Sequence, residues 1–433
     1  MSAQHRPKVL VLAESANPES SSASLIGWSL SQALRGLADV HVVTHLRNRD
    51  ALLRAGWIEG QDFTAIDPAA VERPVTRFGE GVRKATRLGW TWTTAFSTFT
   101  YYFFEHLVWE QFGKAIRSRA FDLVHRITPV SPATPSLIAR RCHRAGVPFV
   151  WGPMNGGVPW PKEFRSAIGR EGEWLSYVRG ARKLLPGYGS ARSHASALLA
   201  GSSYVWNDLK RHHARCVYLP ENAVDFGRFP ETPPSTTNGP LQVAFVGRLV
   251  PLKGLDMLIE AAAPLIRSGQ LRLDVIGDGP EMAKCRGQIA QERIEDGVSL
   301  PGWIDQRDVL SRLGRAQVFA FPSIREFGGG VVLEAMALGL APVVVGYGGP
   351  AELVTDETGF RVPMGSRESI VAAFSKILAE LAASPDRARS IGAAARERIH
   401  RLFTWEVRAA QILEIYRWVL GERGRPDFGM PLS

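Results

Sequence analysis

The feature that most constrains this chain is a repeated alternation of short apolar runs with helical patterns. The first apolar run covers residues 8–13, a helical pattern covers 25–37, and a second run covers 40–44. Strands that alternate with helices in this way form βαβ units and a parallel sheet. Three more apolar runs follow, at residues 123–125, 148–151 and 197–200. The front half is therefore predicted to be a doubly wound α/β domain.

A proline-rich segment interrupts this alternation. Residues 230–240 hold four prolines and no large apolar side chain, which is typical of a linker. The alternation then restarts, with apolar runs at residues 242–246, 271–276, 318–321 and 342–345 and helical patterns at 254–266, 330–338 and 404–420. We predict two domains, residues 1–232 and 233–402, in which ligands bind beyond the carboxyl ends of the strands.

Composition and charge exclude several classes of protein. The chain has 433 residues, of which 45% are apolar and 22% charged, and this excludes a disordered or disulfide-stapled chain. Its three cysteines are widely spaced and are expected to be reduced thiols of a cytoplasmic protein, and no signal sequence is visible. The net charge of +10 is carried by residues 1–240, which hold 29 Lys and Arg against 19 Asp and Glu. This excess predicts an anionic partner for the front half, or reflects the arginine-rich composition of the chain.

Three consecutive glycines, Gly328, Gly329 and Gly330, stand between an apolar run and a helical pattern. Glycine lets backbone N–H groups approach an anion without a Cβ in the way, and the following helix directs its positive end to the same point. Glu326 precedes the glycines and Glu334 lies about one turn inside the helix. A carboxylate can accept two hydroxyl hydrogen bonds from a ribose or sugar ring. The pattern predicts a phosphate and sugar site, and the alternative is two ordinary surface acids beside a tight turn.

Two cations, Arg248 and Lys253, follow the apolar run over residues 242–246. A guanidinium and an ammonium at the carboxyl end of a strand can hold a diphosphate. Either cation alone would be interpreted as solvated, but together with the glycine turn they favour phosphate binding. Ile304 lies in a further strand-end loop, where a nucleobase could stack or bond to the backbone, or which only connects two elements.

Taken in order, these motifs resemble the donor domain of family-4 glycosyltransferases, which are retaining enzymes of the GT-B fold. The resemblance covers residues 243–362 and rests on Gly247-Arg248, Lys253-Gly254, Gly277-Asp278-Gly279-Pro280, the Glu326/Glu334 pair and Gly348-Gly349-Pro350. It implies an α/β protein with two doubly wound, Rossmann-like domains facing a central cleft. In that fold the C-terminal helix returns to the first domain, so residues 403–433 are assigned to the N-terminal, acceptor-side domain.

The resemblance also implies a role for each matched residue. Arg248 and Lys253 would hold the donor diphosphate and stabilise the departing nucleotide. Glu326 would contact hydroxyls of the donor sugar, and Glu334 would bind the ribose hydroxyls. The implied phosphate and base contacts involve Gly328, Gly329, Gly330, Val331 and Ile304. Neither a metal nor a cofactor is implied, since the nucleotide-sugar is the substrate.

The chain departs from the family pattern in three places. The family commonly has Glu-Gly-Phe-Gly, whereas this chain has Glu326-Phe327 followed by three glycines, with the spacing to Glu334 kept. The loop after the first strand often carries paired glycines, which residues 14–18 lack. The acceptor-side loop often carries a histidine. Here Asn155 is the candidate for a sugar hydroxyl contact, or it serves the turn before the next glycine.

Two stretches of the front half are candidates for contact with a further partner. Residues 89–104 contain eight aromatics and no charge, and three basic residues precede them: Arg83, Lys84 and Arg87. Aromatics beside basic residues suit a membrane interface or a lipid-linked acceptor, and a helix in the domain core is the alternative. A second basic stretch would attract anionic lipid or an acidic glycan, or is a solvated helical face. It comprises Lys162, Arg165, Arg170, Arg179, Arg182 and Lys183.

The sequence thus predicts a retaining, metal-independent glycosyltransferase of the hexosyltransferase type. It would transfer a sugar from a nucleotide-diphosphate sugar to a glycan or lipid-linked hydroxyl acceptor, in glycan or polysaccharide assembly. We expect a cytoplasmic protein, with a peripheral position at an anionic inner membrane face as one possibility, and no nucleic-acid partner. The alternatives are a catalytically silent nucleotide-sugar-binding scaffold and another activity of the same fold, such as an epimerase.

Overall fold

A computed structural model of the chain describes residues 6–68, 89–167, 183–229 and 239–429. Most of the predicted linker, residues 230–238, lies outside the described residues. So do six of the basic residues singled out above, Arg83, Lys84, Arg87, Arg170, Arg179 and Arg182. In the second basic stretch, the side chains of Lys162 and Lys183 are described, and both are exposed.

The described residues fall into two compact units. The first comprises residues 6–157, 183–221 and 405–429, and the second comprises 158–167, 222–229 and 239–404. Besides the segment that begins at Val158, the chain passes between the units after Glu221 and again after Thr404, where the sequence placed the boundaries after residues 232 and 402.

Residues 158–167 belong to the second unit, although they follow a strand of the first. The carbonyl oxygens of Val158 and Pro159 accept hydrogen bonds from Arg325 and Tyr347, which explains this assignment. The sequence placed this segment in the N-terminal domain because neither partner is near it along the chain.

The first unit is built on a seven-stranded sheet of order β3-β2-β1-β4-β5-β6-β7. All of its strand pairs are parallel. The strands are β1 Lys8–Ala13, β2 Asp39–His45, β3 Phe63–Ile66, β4 Leu123–Thr128, β5 Phe149–Met154, β6 Ala197–Ala200 and β7 Cys216–Tyr218. The sheet is the core of the unit, because its central strands are buried on both faces, as parallel strands usually are.

The second unit is built on a six-stranded parallel sheet of order β10-β9-β8-β11-β12-β13. The strands are β8 Leu241–Val246, β9 Leu271–Ile276, β10 Val298–Gly302, β11 Val318–Phe321, β12 Ala341–Val345 and β13 Phe360–Val362. The order reverses between β8 and β11, and open α/β sheets bind ligands at such a switch point. The prediction of two doubly wound α/β domains is confirmed.

Helices connect the strands of both sheets. In chain order they are α1 Ser22–Arg35, α2 Arg49–Arg54, α3 Gly89–Arg117, α4 Ile138–Ala145, α5 Tyr188–His194, α6 Ser203–Asp208, α7 Leu255–Arg267, α8 Met282–Glu292, α9 Gln306–Leu313, α10 Gly330–Ala337, α11 Gly349–Leu353, α12 Arg367–Ala383, α13 Pro385–Leu402 and α14 Trp405–Val419. The last helix packs on α1 within the first unit, and its Tyr416 hydroxyl bonds to His125 Nδ1 at 2.7 Å.

The aromatic stretch over residues 89–104 forms the first half of helix α3. Of the side chains described there, Tyr101 and Phe104 are buried in the core of the first unit, and Phe99 is 57% exposed. The core alternative therefore holds for the two buried rings, while Phe99 is available to solvent. Among the described residues, no helix combines the length and the apolar character needed to cross a bilayer.

Candidate functional site

The candidate site lies at the carboxyl edge of the six-stranded sheet. Because all six strands run parallel, the loops that follow them meet at one edge. The loop after β8 carries Arg248 and Lys253, and the loop after β11 carries Glu326 and the glycine turn. Strands β8 and β11 pair directly, so these two loops are neighbours at the switch point of the sheet. Parallel pairing thus brings together the predicted residues from two distant parts of the chain.

Lys253 and Glu326 form an ion pair between the ammonium and the carboxylate. The two side chains are only 18% and 19% exposed, so the pair is partly shielded from water. The Lys253 ammonium also lies 5.0 Å from the centroid of the Phe321 ring, at the end of β11. Two side chains expected to contact different parts of one ligand therefore contact each other.

The backbone locks the loops after β8 and β11 together. The Leu252 carbonyl accepts hydrogen bonds from the Ile324 amide at 2.9 Å and from the Ser323 hydroxyl at 3.2 Å. Gly254 has φ +68°, and a Cβ there would lie 2.5 Å from the Pro322 carbonyl oxygen. Only glycine accepts this conformation and this approach without strain. The lock explains why Lys253 is presented beside Glu326.

Arg248 is exposed, and within the described part of the chain its side chain has no hydrogen-bond or ion-pair partner. Its loop is held by the loop after β9. A Cβ on Gly277, whose φ is +141°, would lie 2.0 Å from the Gly247 carbonyl oxygen. The Leu249 amide donates to the Asp278 carbonyl at 2.9 Å. These contacts hold the backbone and leave the guanidinium available.

The glycine turn opens helix α10. Gly329 is the N-cap residue with φ +63°, a left-handed conformation that favours glycine. Within the described chain, the amide N–H groups of Gly328, Gly329, Gly330 and Val331 donate to no acceptor. Such N–H groups, together with the positive end of the helix dipole, form an anion-binding site.

The loop after β12 supports the backbone of Glu326. The Gly349 amide donates to the Glu326 carbonyl at 3.2 Å. A Cβ on Gly348 would lie 2.1 Å from that carbonyl oxygen, and one on Gly349 would lie 2.2 Å from the Phe327 carbonyl oxygen. The motif Gly348-Gly349-Pro350 is therefore needed for close packing under the predicted sugar contact.

Glu334 lies half-buried on helix α10, and its Oε1 accepts a hydrogen bond from Gln306 Nε2 at 3.2 Å. Burial raises the pKa of this carboxyl from its ordinary value of 4.5 to about 7, although Arg228 and Gln306 act in the opposite direction. Arg228 NH2 in turn lies 3.5 Å from Gln306 Oε1. The sequence analysis missed both neighbours, because no local motif marks them.

Ile304 lies half-buried in the loop after β10, at the same edge of the sheet. As predicted from the sequence, this loop follows the end of a strand, since β10 ends at Gly302. The Trp303 side chain is 74% exposed directly beside Ile304. A flat aromatic surface therefore stands next to the position predicted for the nucleobase.

Asn155 belongs to the first unit, whereas the residues above belong to the second, and its side chain is buried. Its Nδ2 donates to Glu221 Oε1 at 2.8 Å, and its Oδ1 accepts from the Gly156 amide at 2.7 Å. Both ends of the amide are engaged within the unit. This geometry is that of a turn-stabilising residue, the alternative given for Asn155.

The sequence analysis also missed Arg325, the neighbour of Glu326. Its Nε donates to the Val158 carbonyl at 3.0 Å. Its guanidinium carbon lies 5.1 Å from the centroid of the Trp160 ring and 5.1 Å from that of Phe327. Only Phe327 is close in sequence, so no local signal could have identified this arrangement.

No group of three or more His, Cys, Asp or Glu side chains placed to hold a metal ion occurs in the described ranges. The three cysteines, Cys142, Cys216 and Cys285, are free and buried. Burial raises the pKa of each thiol, and these side chains are therefore inert parts of the core.

Comparisons with known proteins identify the relatives of this chain. The family model described as glycosyl transferases group 1 matches residues 231–398. A GDP-mannose-dependent monoacylated alpha-(1-6)-phosphatidylinositol monomannoside mannosyltransferase from Corynebacterium glutamicum is 31% identical over 277 residues, 59% of this chain and 69% of that protein. An alpha-maltose-1-phosphate synthase from Mycolicibacterium smegmatis is 38% identical over 192 residues, 41% of this chain and 48% of that protein.

Among solved structures, HepE of Anabaena in complex with UDP aligns with a TM-score of 0.61 at 18% identity, covering 94% of this chain and 98% of that one. This likeness supports the GT-B fold. Apart from the mannosyltransferase, the chain spans about half the length of the first curated relatives it matches. Because the mannosyltransferase exceeds 30% identity over more than two thirds of its length, the chain belongs to the group 1 glycosyltransferases, the family-4 type that its motifs resemble.

Proposed function

We propose that this chain is a glycosyltransferase that moves a hexosyl group from a nucleotide-diphosphate sugar to a hydroxyl acceptor. The observation that carries the proposal is the convergence of two cations, one carboxylate and unbonded backbone amides at one edge of the second sheet. Cations and amides suit a diphosphate, and a carboxylate suits sugar hydroxyls. The nucleotide-sugar is the substrate, and the proposal includes no cofactor.

The proposed role of the cations and backbone amides is to stabilise the negative charge of the leaving group. Transfer breaks the bond between the anomeric carbon and the diphosphate oxygen and forms one between that carbon and the acceptor oxygen. The acceptor hydroxyl proton passes to the leaving diphosphate, on which negative charge develops as the first bond breaks. Arg248, Lys253 and the N-terminus of α10 stabilise that charge. When Lys253 turns to the phosphate, the Glu326 carboxylate is released to accept hydrogen bonds from the sugar hydroxyls.

Two finer features of the reaction belong to the proposal. The first is metal independence, because Arg248 and Lys253 supply the positive charge that a divalent ion supplies elsewhere. The second is retention of anomeric configuration, which rests on the family resemblance. Proton NMR of the first-formed product tests retention: its anomeric coupling should be that of the donor. Transfer in the presence of EDTA tests metal independence.

The relatives support a nucleotide-sugar donor and a glycan or lipid-linked acceptor. The mannosyltransferase is named for GDP-mannose and a phosphatidylinositol mannoside, and HepE was solved with UDP. One relative is named as a putative glycosyltransferase of colanic acid biosynthesis and another as an alpha-maltose-1-phosphate synthase, and these names support a role in glycan or polysaccharide assembly. The first experiment should therefore identify the nucleobase of the donor.

A cytoplasmic protein held peripherally at an anionic membrane face is part of the proposal. Leu184 is 86% exposed and follows the exposed Lys183. Tyr102 donates to the Pro186 carbonyl at 2.7 Å, which joins this segment to helix α3, where Phe99 is exposed. Apolar side chains beside a cation suit an anionic lipid surface.

Liposome flotation tests the membrane proposal. Vesicles containing anionic lipid should carry the protein at low salt, where electrostatic attraction is least screened. The double change Phe99→Ser and Leu184→Ser should abolish flotation. Ile58→Ser is the matched control, since Ile58 is an exposed apolar residue elsewhere in the first unit. Absence of flotation at low salt would refute membrane contact.

A thermal-shift panel with UDP, GDP, ADP and their sugar conjugates tests the donor site. A ligand that binds only the folded state raises the melting temperature. One nucleotide series should stabilise the wild type and the control Arg272→Ala, whose arginine is exposed on β9, but not Arg248→Ala. Glu326→Ala should bind the nucleoside diphosphate and lose transfer.

The outcomes separate the alternatives. Binding without turnover of any donor, with any acceptor, would indicate a silent nucleotide-sugar-binding protein. Interconversion of the donor sugar without transfer would indicate an epimerase. Transfer that survives both Arg248→Ala and Glu326→Ala would show that the site is elsewhere.

A further inference from the structure

We infer that Arg325 is a positioning residue that fixes Glu326 through a short strap, residues 158–160, of the second unit. The inference rests on the proposed function, which makes Glu326 the contact to the donor sugar. It adds residues that lie outside the family motifs and that sequence analysis did not single out. Arg325 would therefore affect recognition of the donor sugar and not recognition of the nucleoside diphosphate.

The strap is held by two hydrogen bonds and one cation–π contact. Arg325 Nε donates to the Val158 carbonyl at 3.0 Å, and the Tyr347 hydroxyl donates to the Pro159 carbonyl at 2.9 Å. The Arg325 guanidinium carbon lies 5.1 Å from the centroid of the Trp160 ring, within the range of a cation–π interaction. Val158 and Trp160 are buried, the latter with 7% exposure. The strap is therefore packed into the unit and does not lie loose on its surface.

Arg325 and its contact Phe327 are the two residues on either side of Glu326 in the sequence. Arg325 precedes Glu326, and Phe327, whose ring also lies 5.1 Å from the guanidinium carbon, follows it. Gly349 bonds the Glu326 carbonyl at 3.2 Å. The backbone of Glu326 is thus fixed by the strap through Arg325 and by the loop after β12.

The strap contributes most when Lys253 is engaged by a ligand. Lys253 holds the Glu326 carboxylate directly in the ion pair. Once the ammonium turns to a diphosphate, only the backbone determines where that carboxylate stands. A displacement of about 1 Å at a reacting centre can cost on the order of 100-fold in rate. Arg325 and its strap supply the restraint at that stage.

This arrangement explains a departure of the sequence from its family. The chain has Phe327 where the family commonly has glycine. Glycine would add backbone freedom next to Glu326 and would provide no ring. Phe327 instead provides a second aromatic face for the Arg325 guanidinium. Trp160, Arg325 and Phe327 therefore act as one set.

Substitution of Arg325 by lysine tests the inference. Lysine keeps the charge but loses the planar group that stacks on rings and the Nε donor. By calorimetry, Arg325→Lys should bind the nucleoside diphosphate alone within about twofold of the wild type. It should bind the sugar conjugate about tenfold more weakly relative to that diphosphate, and kcat should fall on the order of 100-fold.

Substitutions of the strap give an independent readout if Arg325→Lys folds poorly. Trp160→Phe keeps an aromatic face and should retain kcat within a few-fold. Trp160→Ala removes it and should behave as Arg325→Lys does. Loss of kcat in both Trp160 variants alike would contradict the role of the ring.

Arg398→Lys is the matched control. Arg398 is also half-buried in the second unit, donates from Nε to the Leu353 carbonyl at 3.1 Å, and lies 5.6 Å from the centroid of the Phe403 ring. Its substitution should lower the unfolding midpoint about as much as Arg325→Lys and leave kcat unchanged. A purely structural Arg325 would match this control in both measurements.

The outcomes distinguish this inference from the proposed function. If the wild type binds no nucleotide-sugar at all, the proposed function fails. If the wild type binds and transfers, and Arg325→Lys keeps the extra affinity for the sugar conjugate, the positioning role is wrong. Equal loss of affinity for the diphosphate and for its conjugate would also overturn it, because the defect would then not concern the sugar.

Discussion

The two sheets share one strand order over six strands, and the first sheet has a seventh at its edge. The polar side chains at their carboxyl edges nevertheless have different roles. In the first unit β1 pairs with β4, and in the second β8 pairs with β11. At the first edge Arg126 is wholly buried and donates to two backbone carbonyls, and Asn155 is bonded to Glu221. At the second edge Arg248 is exposed, with no side-chain partner in the ranges described.

The difference follows from the cost of burying polar groups. A buried charge or amide must be hydrogen-bonded inside the protein, so the polar groups of the first edge are committed to the fold. Charges at the second edge stay partly solvated and can exchange partners with a ligand. The same sheet architecture therefore carries polar groups that stabilise the fold in the first unit and polar groups that can bind a ligand in the second. Four substitutions test this contrast.

The largest effect is expected for Glu105→Ala in the first unit. This buried carboxylate accepts hydrogen bonds from the Tyr101 hydroxyl at 2.9 Å, from the Leu137 amide at 2.6 Å, and from Ser136. The Ile138 amide also donates to it, at 3.3 Å. Loss of the carboxylate should lower the free energy of unfolding by about 3–5 kcal/mol, because four donors lose their acceptor in the core. Urea unfolding measures this.

Glu110→Ala on the same helix is the control for Glu105→Ala. Glu110 is exposed, and its removal should change the unfolding free energy by about 0.5 kcal/mol or less. Transfer per folded molecule should be unchanged in both variants. A loss of transfer in folded Glu105→Ala would break the contrast between the units.

The next effect is expected for Lys253→Met in the second unit. Removal of the ammonium should lower kcat on the order of 100-fold or more, since the leaving diphosphate loses one positive charge. The unfolding free energy should change by about 1 kcal/mol or less, because the ion pair is partly exposed. Single-turnover kinetics measure the rate. Lys284→Met, an exposed lysine paired with Glu281 at 3.0 Å, should keep full activity.

A smaller effect is expected for Asn155→Ala. The change leaves Glu221 Oε1 and the Gly156 amide without this partner, and should lower the unfolding free energy by about 1–3 kcal/mol. Donor affinity should not change. Asn17→Ala, in an exposed turn where Asn17 accepts from the Glu19 amide, should cost less. A stable Asn155→Ala protein that has lost acceptor affinity would restore the sugar-contact role predicted from the sequence.

The smallest effect concerns the pH dependence of donor binding. Burial raises the pKa of Glu334 to about 7, so the folded state binds this proton more tightly than the unfolded state does. The resulting stability is present below pH 4.5 and is lost as pH rises to 7. Ribose hydroxyls need the ionised acceptor, so affinity should rise about tenfold between about pH 6 and about pH 8. Calorimetry should show this rise in the wild type and none in Glu334→Gln.

The sequence predicted the interior strands of both sheets well. The bounds predicted for β9 and β11 coincide with the observed ones, because each is an apolar run limited by turn residues. The edge strands β3, β7 and β13 were not predicted. Pairing with a neighbouring strand, not local pattern, makes these segments strands.

The same division holds for the candidate site. Glu326 and Lys253 could be proposed from the sequence because each stands in a contiguous motif beside a strand end. Gln306 and Arg228 were missed, since only tertiary packing brings them to Glu334. Arg325 was missed because its backbone partner, Val158, is 167 residues away. Contacts between distant segments were the part of the site that motifs do not encode.

The strap also has a consequence for the order in which the protein is made. Val158 leaves the ribosome 167 residues before Arg325 and Pro159 leaves 188 residues before Tyr347. At about 5–20 residues per second, Trp160 waits on the order of ten to thirty seconds for the guanidinium that covers it. A fragment that begins after the first unit's last strand would lack the strap altogether. The second unit therefore needs a segment that is synthesised between strands of the first unit.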